Sequence, residues 1–177
     1  MLSEKMLKEL NQQINEELYS SYIYRAMAAD LADKGLKGMA TWMQVQLREE
    51  EAHANIFYNY VLERQCKVEL EAIEKPPATW DSALEIFAAY AHEQHITGRI
   101  NHMVKVAREE NDNATLQMLQ WFVEEQVEEE ANTSEVAQQL DIVGGDGRGI
   151  LMLDREMGAR TFVSPATAPY YPAPGQV

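Results

Sequence analysis

Apolar residues recur at intervals of three and four along four long stretches of the chain, which is the spacing of one buried helix face. The first stretch follows Ser3, a residue type that caps helix N-termini, and it contains neither glycine nor proline before Gly35. The other stretches run from about Gly38 to Gln65, from Trp80 to Glu110 and from Ala114 to Leu140. Because no strand-like alternation occurs, we predict an all-α fold of four long helices.

The connections between these stretches predict how the helices are arranged. Short turns at 34–38 and 111–113 make the first pair antiparallel and the last pair antiparallel. The link from Cys66 to Trp80, which ends at the predicted N-cap Thr79, is long. Fifteen extended residues reach about 50 Å, and a helix of about 28 residues spans roughly 42 Å. The link can therefore run back along the bundle, which gives a four-helix bundle with one long crossover connection.

The last part of the chain differs in composition from the rest. A glycine-rich run at 144–149 breaks the helical pattern, and Ile150 to Arg160 predict one short fifth helix. Residues 164–177 include four prolines and are expected to be extended or disordered. We therefore assign residues 1–163 to one helical domain and 164–177 to a Pro-rich C-terminal tail.

Polar side chains interrupt the apolar face of every long helix near its middle. They are Glu17, Glu50, His53, Glu93, Gln126 and Glu129. The two halves of the chain also match at an offset of 76 residues, which pairs Glu17 with Glu93 and Glu50 with Gln126. This pattern predicts two helical hairpins whose polar positions converge on one point inside the bundle.

Several carboxylates buried at one level need a counter-charge, because burying one bare carboxylate costs several kcal/mol. None of the four apolar faces contains Lys or Arg, so we expect the charge to come from two divalent metal ions. His53 lies three residues after Glu50 and adds a nitrogen ligand on the same helix face. Oxygen-rich ligands with a single imidazole suit iron or manganese better than zinc. Any one of these glutamates alone would be read as a solvated surface residue.

The net charge narrows the choice of partner. The chain has 29 Asp+Glu against 15 Lys+Arg, a formal net charge of -14, and it is 46% hydrophobic. Such an acidic chain is a poor candidate for nucleic acid or for an anionic membrane surface. Its single cysteine, Cys66, excludes an intrachain disulfide and a thiolate zinc cluster. No apolar signal segment and no run of 18 apolar residues occur, so we expect a cytoplasmic protein.

The segments around the interrupting acids resemble the helices of bacterial non-haem ferritins. They are residues 15–24 (NEELYSSYIY), 49–53 (EEEAH), 92–94 (HEQ) and 121–130 (WFVEEQVEEE). The resemblance covers roughly residues 1 to 160 and implies a ferritin-like diiron domain. It further implies a ferroxidase that oxidises Fe(II) with dioxygen or hydrogen peroxide and stores the ferric product in a homo-oligomeric shell of 24 subunits. The short fifth helix would line the fourfold axes of that shell.

The resemblance also implies roles for the site residues. One iron ion would be bound by Glu17, Glu50 and His53. The second would share the bridging Glu50 and would also use Glu93 and Glu129, with Gln126 close by.

Two further features of the centre follow from the same resemblance. Tyr24 would contact the diiron centre and donate an electron, although an aromatic core residue is the alternative reading. A third iron site would use Glu49, Glu125, Glu128 and Glu129, where a solvated acidic face is the alternative.

Related families fit the sequence less well. Bacterioferritin carries a second Glu-x-x-His where this chain has Gln126 and Glu129, and it binds haem through a methionine where this chain has Glu51, so we expect no haem. Rubrerythrin needs paired cysteines, and the DNA-protecting mini-ferritins build their site between subunits. Animal ferritins line a threefold channel with acids at the positions of Leu116 and Leu119, which argues against iron access by that route.

The sequence is also compatible with two other functions. One is a four-helix diiron oxidase or oxygenase that acts on an organic substrate in an apolar pocket beside the metals. The other is a purely structural helical protein.

Overall fold

The computed structural model describes residues 2–87, 90–166 and 168–171, and the regular elements within these residues are all helices. They are α1 (Glu4–Asp33), α2 (Lys37–Glu63), α3 (Ala83–Phe87), α4 (Tyr90–Glu109), α5 (Asn113–Val143) and α6 (Gly147–Met157). The predicted all-α fold is confirmed. The third predicted helix corresponds to α3 and α4, and residues 88–89 between them lie outside the described residues. No helix in the described part of the chain is long and apolar enough to cross a membrane.

Side-chain caps explain where two of the helices begin. Ser3 accepts a hydrogen bond from the backbone N–H of Met6, as its position before α1 predicts. The predicted cap Thr79 is wrong, because Ser82 accepts from the backbone N–H of Glu85 at 3.1 Å. The third helical region therefore begins three residues later than the predicted start at Trp80.

The short helix α6, in contrast, begins earlier than predicted. The carboxylate of Asp146 accepts hydrogen bonds from the backbone N–H groups of Arg148 and Gly149. This cap supplies partners for two N–H groups that the first turn leaves unpaired. It starts α6 at Gly147, inside the glycine-rich run, instead of at Ile150.

α6 packs against the N-terminal end of α2. The buried carboxylate of Asp154 accepts from the backbone N–H of Met39 at 2.9 Å, at a helix end whose N-cap residue, Leu36, makes no side-chain hydrogen bond. The two backbones approach so closely that a Cβ on Gly38 would lie 1.6 Å from the carbonyl oxygen of Asp154. The absence of a side chain at Gly38 therefore makes this contact possible.

Contacts between side chains fix the directions of the long helices. From α1 to α4, Tyr24 pairs with Glu93 and Glu9 pairs with Arg99, so these two helices are antiparallel. From α2 to α5, Gln46 pairs with Glu129, and Tyr60 pairs with Thr115 at the other end. Since α1 and α2 are also antiparallel, α2 and α4 run in parallel, as the long link predicts.

The crossover between α2 and α3 runs along the side of α1. The backbone N–H of Glu69 donates to Asn11, the side chain of Asn15 donates to the carbonyl of Ala72, and the backbone N–H of Trp80 donates to Asp30. These contacts follow α1 from its N-terminal part to its C-terminal end. The crossover therefore returns the chain along the bundle, as predicted.

The apolar core consists of two clusters separated along the bundle axis. One includes Leu10, Phe57 and Phe122, and the other includes Leu31 and Leu140. Glu17, Glu50, His53, Glu93, Gln126 and Glu129 lie between the two clusters in sequence, whereas other buried polar residues, such as Asp30 and Thr115, lie beside a cluster. The interrupting side chains therefore form a polar layer between the two apolar clusters.

The described part of the C-terminal tail packs against the bundle. Ala168 is buried within the first apolar cluster, and the ring of Tyr170 lies 4.9 Å from that of Tyr60. The carbonyl of Tyr170 also accepts from the side chain of Asn59 at 3.0 Å. The division into a domain at 1–163 and a tail at 164–177 stays a prediction.

Candidate metal centre

The polar layer brings together five side chains that can bind metal, one from each long helix and a second from α2. None is more than 4% exposed. They are Glu17, Glu50, His53, Glu93 and Glu129. Each replaces an apolar side chain on the buried face of its helix, which explains why all five point inward at the same level.

The first group of potential ligands consists of Glu17, Glu50 and His53, whose ligand atoms lie within 4.8 Å of one another. The Nδ1 atom of His53 is 3.4 Å from Oε2 of Glu50. One oxygen of Glu17 accepts from the side chain of Gln13 at 2.9 Å, whereas Oε2 is buried with no hydrogen-bond partner among the described residues. A buried carboxylate oxygen without a partner is costly, so it fits a metal ligand.

The second group consists of His53, Glu125 and Glu129, again with ligand atoms within 4.8 Å of one another. Glu129 accepts a hydrogen bond from Nε2 of Gln46 at 2.8 Å. His53 belongs to both groups, so its ring lies between the two sets of carboxylates. The rings of Trp121 and Phe122 pack at steep angles against the imidazole and hold it in place.

Glu93 completes the buried acids and is held by Tyr24. The phenol of Tyr24 donates a hydrogen bond to Oε1 of Glu93. Burial, then the charge of Glu129, raises the pKa of Glu93 to about 8. Glu93 belongs to neither ligand group, although the charge of Glu129 acts on its carboxyl.

The other two central acids have raised pKa values for the same physical reason. Burial, followed by the charge of Glu50, raises the pKa of Glu17 well above its ordinary value. Burial, followed by the charge of Glu93, does the same for the pKa of Glu50. These carboxyls hold protons when no cation is present, and cations that bind there replace protons.

Gln126 lies beside the cluster and also lines a small cavity between α4 and α5. The amide is buried, and its oxygen accepts from the hydroxyl of Thr97 at 3.0 Å. The cavity has a volume of about 260 Å³ and is lined by side chains that include Ile100, Val123 and Glu130. This volume is below the roughly 300–1,000 Å³ that is usual for ligand pockets.

Apart from Glu129, the acids of the predicted third site are less buried than the central acids. Glu125 belongs to the second ligand group, whereas Glu128 is exposed and belongs to neither group. Glu49 accepts from Nη2 of Arg160 at 2.8 Å. Burial raises the pKa of Glu49 to about 7, an effect that the charge of Arg160 opposes.

The sequence pattern missed two residues that support the centre. Gln46 interrupts the buried face of α2 one turn before Glu50, and this polar interruption is a signal that could have identified it. Arg160 lies beyond α6 and carries no such signal. Leu116 and Leu119, at the positions of the acidic channel residues, pack in the first apolar cluster and offer no metal ligand.

Comparison with known proteins gives consistent matches. The family model of the ferritin-like domain matches residues 7–143. The chain is 36% identical to the bacterial non-heme ferritin of Staphylococcus aureus over 163 residues, which are 92% of this chain and 98% of that protein. It is 38% identical over 159 residues to a probable bacterial non-heme ferritin-like protein of Haemophilus influenzae, covering 89% and 96% of the two chains. The open-pore ferritin of the archaeon Archaeoglobus fulgidus is 46% identical, with a TM-score of 0.90 over 91% of this chain and 100% of that one.

Proposed function

Because the chain belongs to the ferritin family, we propose that it oxidises Fe(II) to Fe(III) within each subunit and stores the ferric product inside a shell of 24 copies. The single observation that carries this proposal is the buried cluster of four carboxylates and one imidazole. The orphaned oxygen of Glu17 indicates that the hydrogen bonds of the described residues leave this cluster incomplete. Two ferrous ions would supply the missing positive charge.

The geometry supports a specific distribution of ligands. Glu17, Glu50 and His53 would bind one ferrous ion. Glu93 and Glu129 would bind the other, and Glu50 would bridge the two because its carboxylate interacts with both of those acids. Gln126 is buried one turn before Glu129 on α5, and it would contribute its amide oxygen to the second ion.

The substrate chemistry follows from two adjacent ferrous ions. Each loses one electron, and the two electrons together reduce dioxygen to hydrogen peroxide or hydrogen peroxide to water. Carboxylate oxygens are hard ligands that favour the ferric products. The hydrogen bond from Tyr24 holds Glu93 in position, and its phenol lies close enough to the centre to supply a further electron.

Assembly into a shell would use surfaces that a single chain leaves exposed. α6 exposes the apolar side chains of Leu151 and Met152, which fit contacts between copies around a symmetry axis. Each copy has a formal net charge of -14, so a closed shell would attract ferrous ions to its surface and interior. The acidity of the chain thus serves to gather the substrate.

The diiron oxidase acting on an organic substrate is the weaker candidate. It needs an apolar pocket next to the metals, and the cavity that borders Gln126 is small and partly polar. A cytoplasmic location, the absence of haem and the absence of nucleic-acid or membrane partners stay predictions from the sequence.

Assembly and mineral formation test the proposal directly. Twenty-four chains of 20.2 kDa each make a particle near half a megadalton, which size-exclusion chromatography resolves from smaller oligomers. Aerobic addition of excess Fe(II) should then produce an electron-dense core visible by electron microscopy. A monomer or dimer that takes up only a few ions per chain would contradict storage. Unaltered ferrous oxidation in Glu50→Ala would contradict the assigned centre.

A further inference from the structure

Arg160 lies three residues beyond the end of α6, and its guanidinium contacts Gln46 and Glu49 of α2, next to Glu50 of the candidate centre. Its Nη2 atom donates to Oε2 of Glu49 at 2.8 Å, and its Nη1 atom donates to Oε1 of Gln46. Its planar group lies 4.5 Å from the ring centroid of Trp42. Three different groups on successive turns of α2 therefore hold one cation in a single position.

The contact with Gln46 extends this cation's influence to the centre itself. Gln46 is fully buried, and its Nε2 atom donates to Glu129 at 2.8 Å. The amide oxygen is taken by Arg160, so the amide nitrogen must face Glu129. Arg160 thus fixes the orientation of the amide that positions one of the central carboxylates.

The chain on either side of Arg160 is anchored. α6 is fixed to α2 by the bond between Asp154 and Met39. Further along, Tyr170 packs against Tyr60 near the other end of α2. The guanidinium is also held by Gln46 and Trp42, and only 22% and 21% of the Arg160 and Glu49 side chains is exposed, so their pair is screened less by water than an ordinary surface ion pair.

We propose that Arg160 is a built-in cation that competes with a third metal ion for Glu49. The inference rests on the proposed function, because Glu49 is one of the four acids that the ferritin resemblance assigns to a third iron site. The guanidinium bonds the same carboxylate that a metal ion would need, and a divalent ion next to it would be repelled. A third ion therefore binds Glu49 only when Arg160 moves away.

Displacement of Arg160 also affects the diiron centre. When the guanidinium leaves, it releases the oxygen of Gln46, and the amide that holds Glu129 is free to rotate. Binding of the third ion and binding of the second ion are then linked, and linkage of this kind is reciprocal. The affinity of the diiron centre for its second ion therefore depends, through Arg160 and Gln46, on whether a third ion is bound at Glu49.

The test counts and ranks bound ions with Zn²⁺, which binds oxygen and nitrogen ligands but is not oxidised. Isothermal titration of the assembled wild-type protein should show two tight ions per subunit and a weaker third. In Arg160→Gln, the third ion should bind at least tenfold more tightly. Adding Glu49→Gln to this variant should weaken the third ion again, because the freed ligand is lost.

Two further variants keep the result interpretable. Arg155→Gln removes an exposed arginine of α6 and should leave the third ion as in wild type. Arg160→Lys keeps the charge but cannot bond Glu49 and Gln46 with one planar group, so it should tighten the third ion by a smaller factor. Arg160→Lys provides the test if Arg160→Gln fails to assemble.

The outcomes distinguish failure of the Arg160 proposal from failure of the proposed function. Equal third-ion affinity in wild type, Arg160→Gln and Arg160→Lys overturns the proposed competition for Glu49, as does equally tighter binding in Arg155→Gln. A third ion that is absent from all of these proteins overturns it too. The proposed function fails if the titration shows no two tightly bound ions in the wild type, or if Glu50→Ala still binds both of them tightly.

Discussion

The phenol of Tyr24 donates a hydrogen bond to Oε1 of Glu93, and both side chains are only 1% exposed. Burial, followed by the charge of Glu93, raises the pKa of Tyr24 well above its ordinary value, so the phenol keeps its proton at every physiological pH. The bond lowers the pKa of Glu93, which burial otherwise raises. Tyr24 therefore helps one carboxyl of the centre to lose its proton to the solvent when a cation binds.

Replacing Tyr24 with Phe should weaken the ion bound by Glu93. A hydrogen bond to a charged group contributes about 1.5–3 kcal/mol, so we expect roughly tenfold weaker binding of that ion and slower ferrous oxidation. The ring itself still fits the core, so the fold should be retained. Zn²⁺ titration gives the affinity, and stopped-flow absorbance gives the rate.

Tyr22 provides the matched control, because it lies on the same helix but is exposed. Tyr22→Phe should leave both measurements unchanged. Wild-type affinity and rate in Tyr24→Phe would show that this hydrogen bond has no part in binding or turnover.

The metal-free protein should lose stability as pH rises from about 5 to 8. The folded chain keeps the protons of Glu49 and Glu93 up to about pH 7 and pH 8, whereas the unfolded chain releases them near 4.5. In this window the folded state binds more protons, so the free energy of unfolding falls by about 1.4 kcal/mol per pH unit for each proton retained. Below pH 4.5 both states are protonated and this stabilisation is complete.

Thermal unfolding of the metal-free protein at pH 5.5, 7 and 8.5 measures this dependence. The melting temperature should fall across the series, and saturating Zn²⁺ should remove or reverse the fall, because the ions replace the protons. A melting temperature that rises steadily to pH 8.5 without metal would show that the acids are not buried as described.

Glu50→Gln should stabilise the metal-free protein while it abolishes function. Burial and the charges of Glu93 and Glu129 raise the pKa of Glu50, so the folded metal-free chain keeps a proton that the unfolded chain releases near pH 4.5, whereas a neutral amide of the same shape binds no proton in either state. The wild type therefore loses about 1.4 kcal/mol of stability per pH unit for this proton, and the gain in Glu50→Gln should be larger at pH 8 than at pH 5. Ferrous oxidation should fall at least 100-fold, since both ions lose a ligand.

The adjacent acid Glu51 is the control, because it lies half exposed and pairs with Arg25 at the surface. Glu51→Gln should change neither the melting temperature nor the oxidation rate by much. Loss of stability in Glu50→Gln at pH 8 would mean that the protonated carboxyl of Glu50 makes a favourable contact that the amide cannot replace.

The buried ligands could be predicted from the sequence because each lies on an amphipathic helix. Helical periodicity fixes which face is buried, so a glutamate such as Glu17 on the apolar face must point inward. The long crossover was predictable for a similar reason, since chain length limits where the link from Cys66 can run. In both cases a property that can be read from the local sequence, either helical periodicity or the length of a link, determines the position of a residue or segment in the fold.

The parts that were not predictable depend on where loops and helix ends lie in space. Arg160 follows α6, and no periodicity connects it to Glu49, which is 111 residues away. The start of α6 depends on the cap formed by Asp146, which overrides the low helix propensity of the neighbouring glycines. Contacts made by side chains that do not lie on a helix face can be identified only from the tertiary structure.

Gly38→Ala should destabilise the protein, although helix propensity alone predicts the opposite. Within a helix, alanine is favoured over glycine by about 1 kcal/mol. Here, however, the added Cβ would lie 1.6 Å from the carbonyl oxygen of Asp154, a backbone atom that cannot rotate away. Forcing extra atoms into a packed contact costs about 1–3 kcal/mol or more. α6 would have to shift, and the bond from Met39 to Asp154 would break with it.

Gly145→Ala separates this packing effect from the general effect of removing a glycine, because no atom lies within 4 Å of the position that its added Cβ would take. Gly145→Ala should keep the wild-type melting temperature and oligomeric state. Gly38→Ala should melt at a lower temperature and form smaller particles on size-exclusion chromatography, since α6 carries the exposed apolar side chains that fit contacts between copies. Wild-type stability in Gly38→Ala would show that the helices separate at little cost, and that the position of α6 is not fixed by this contact.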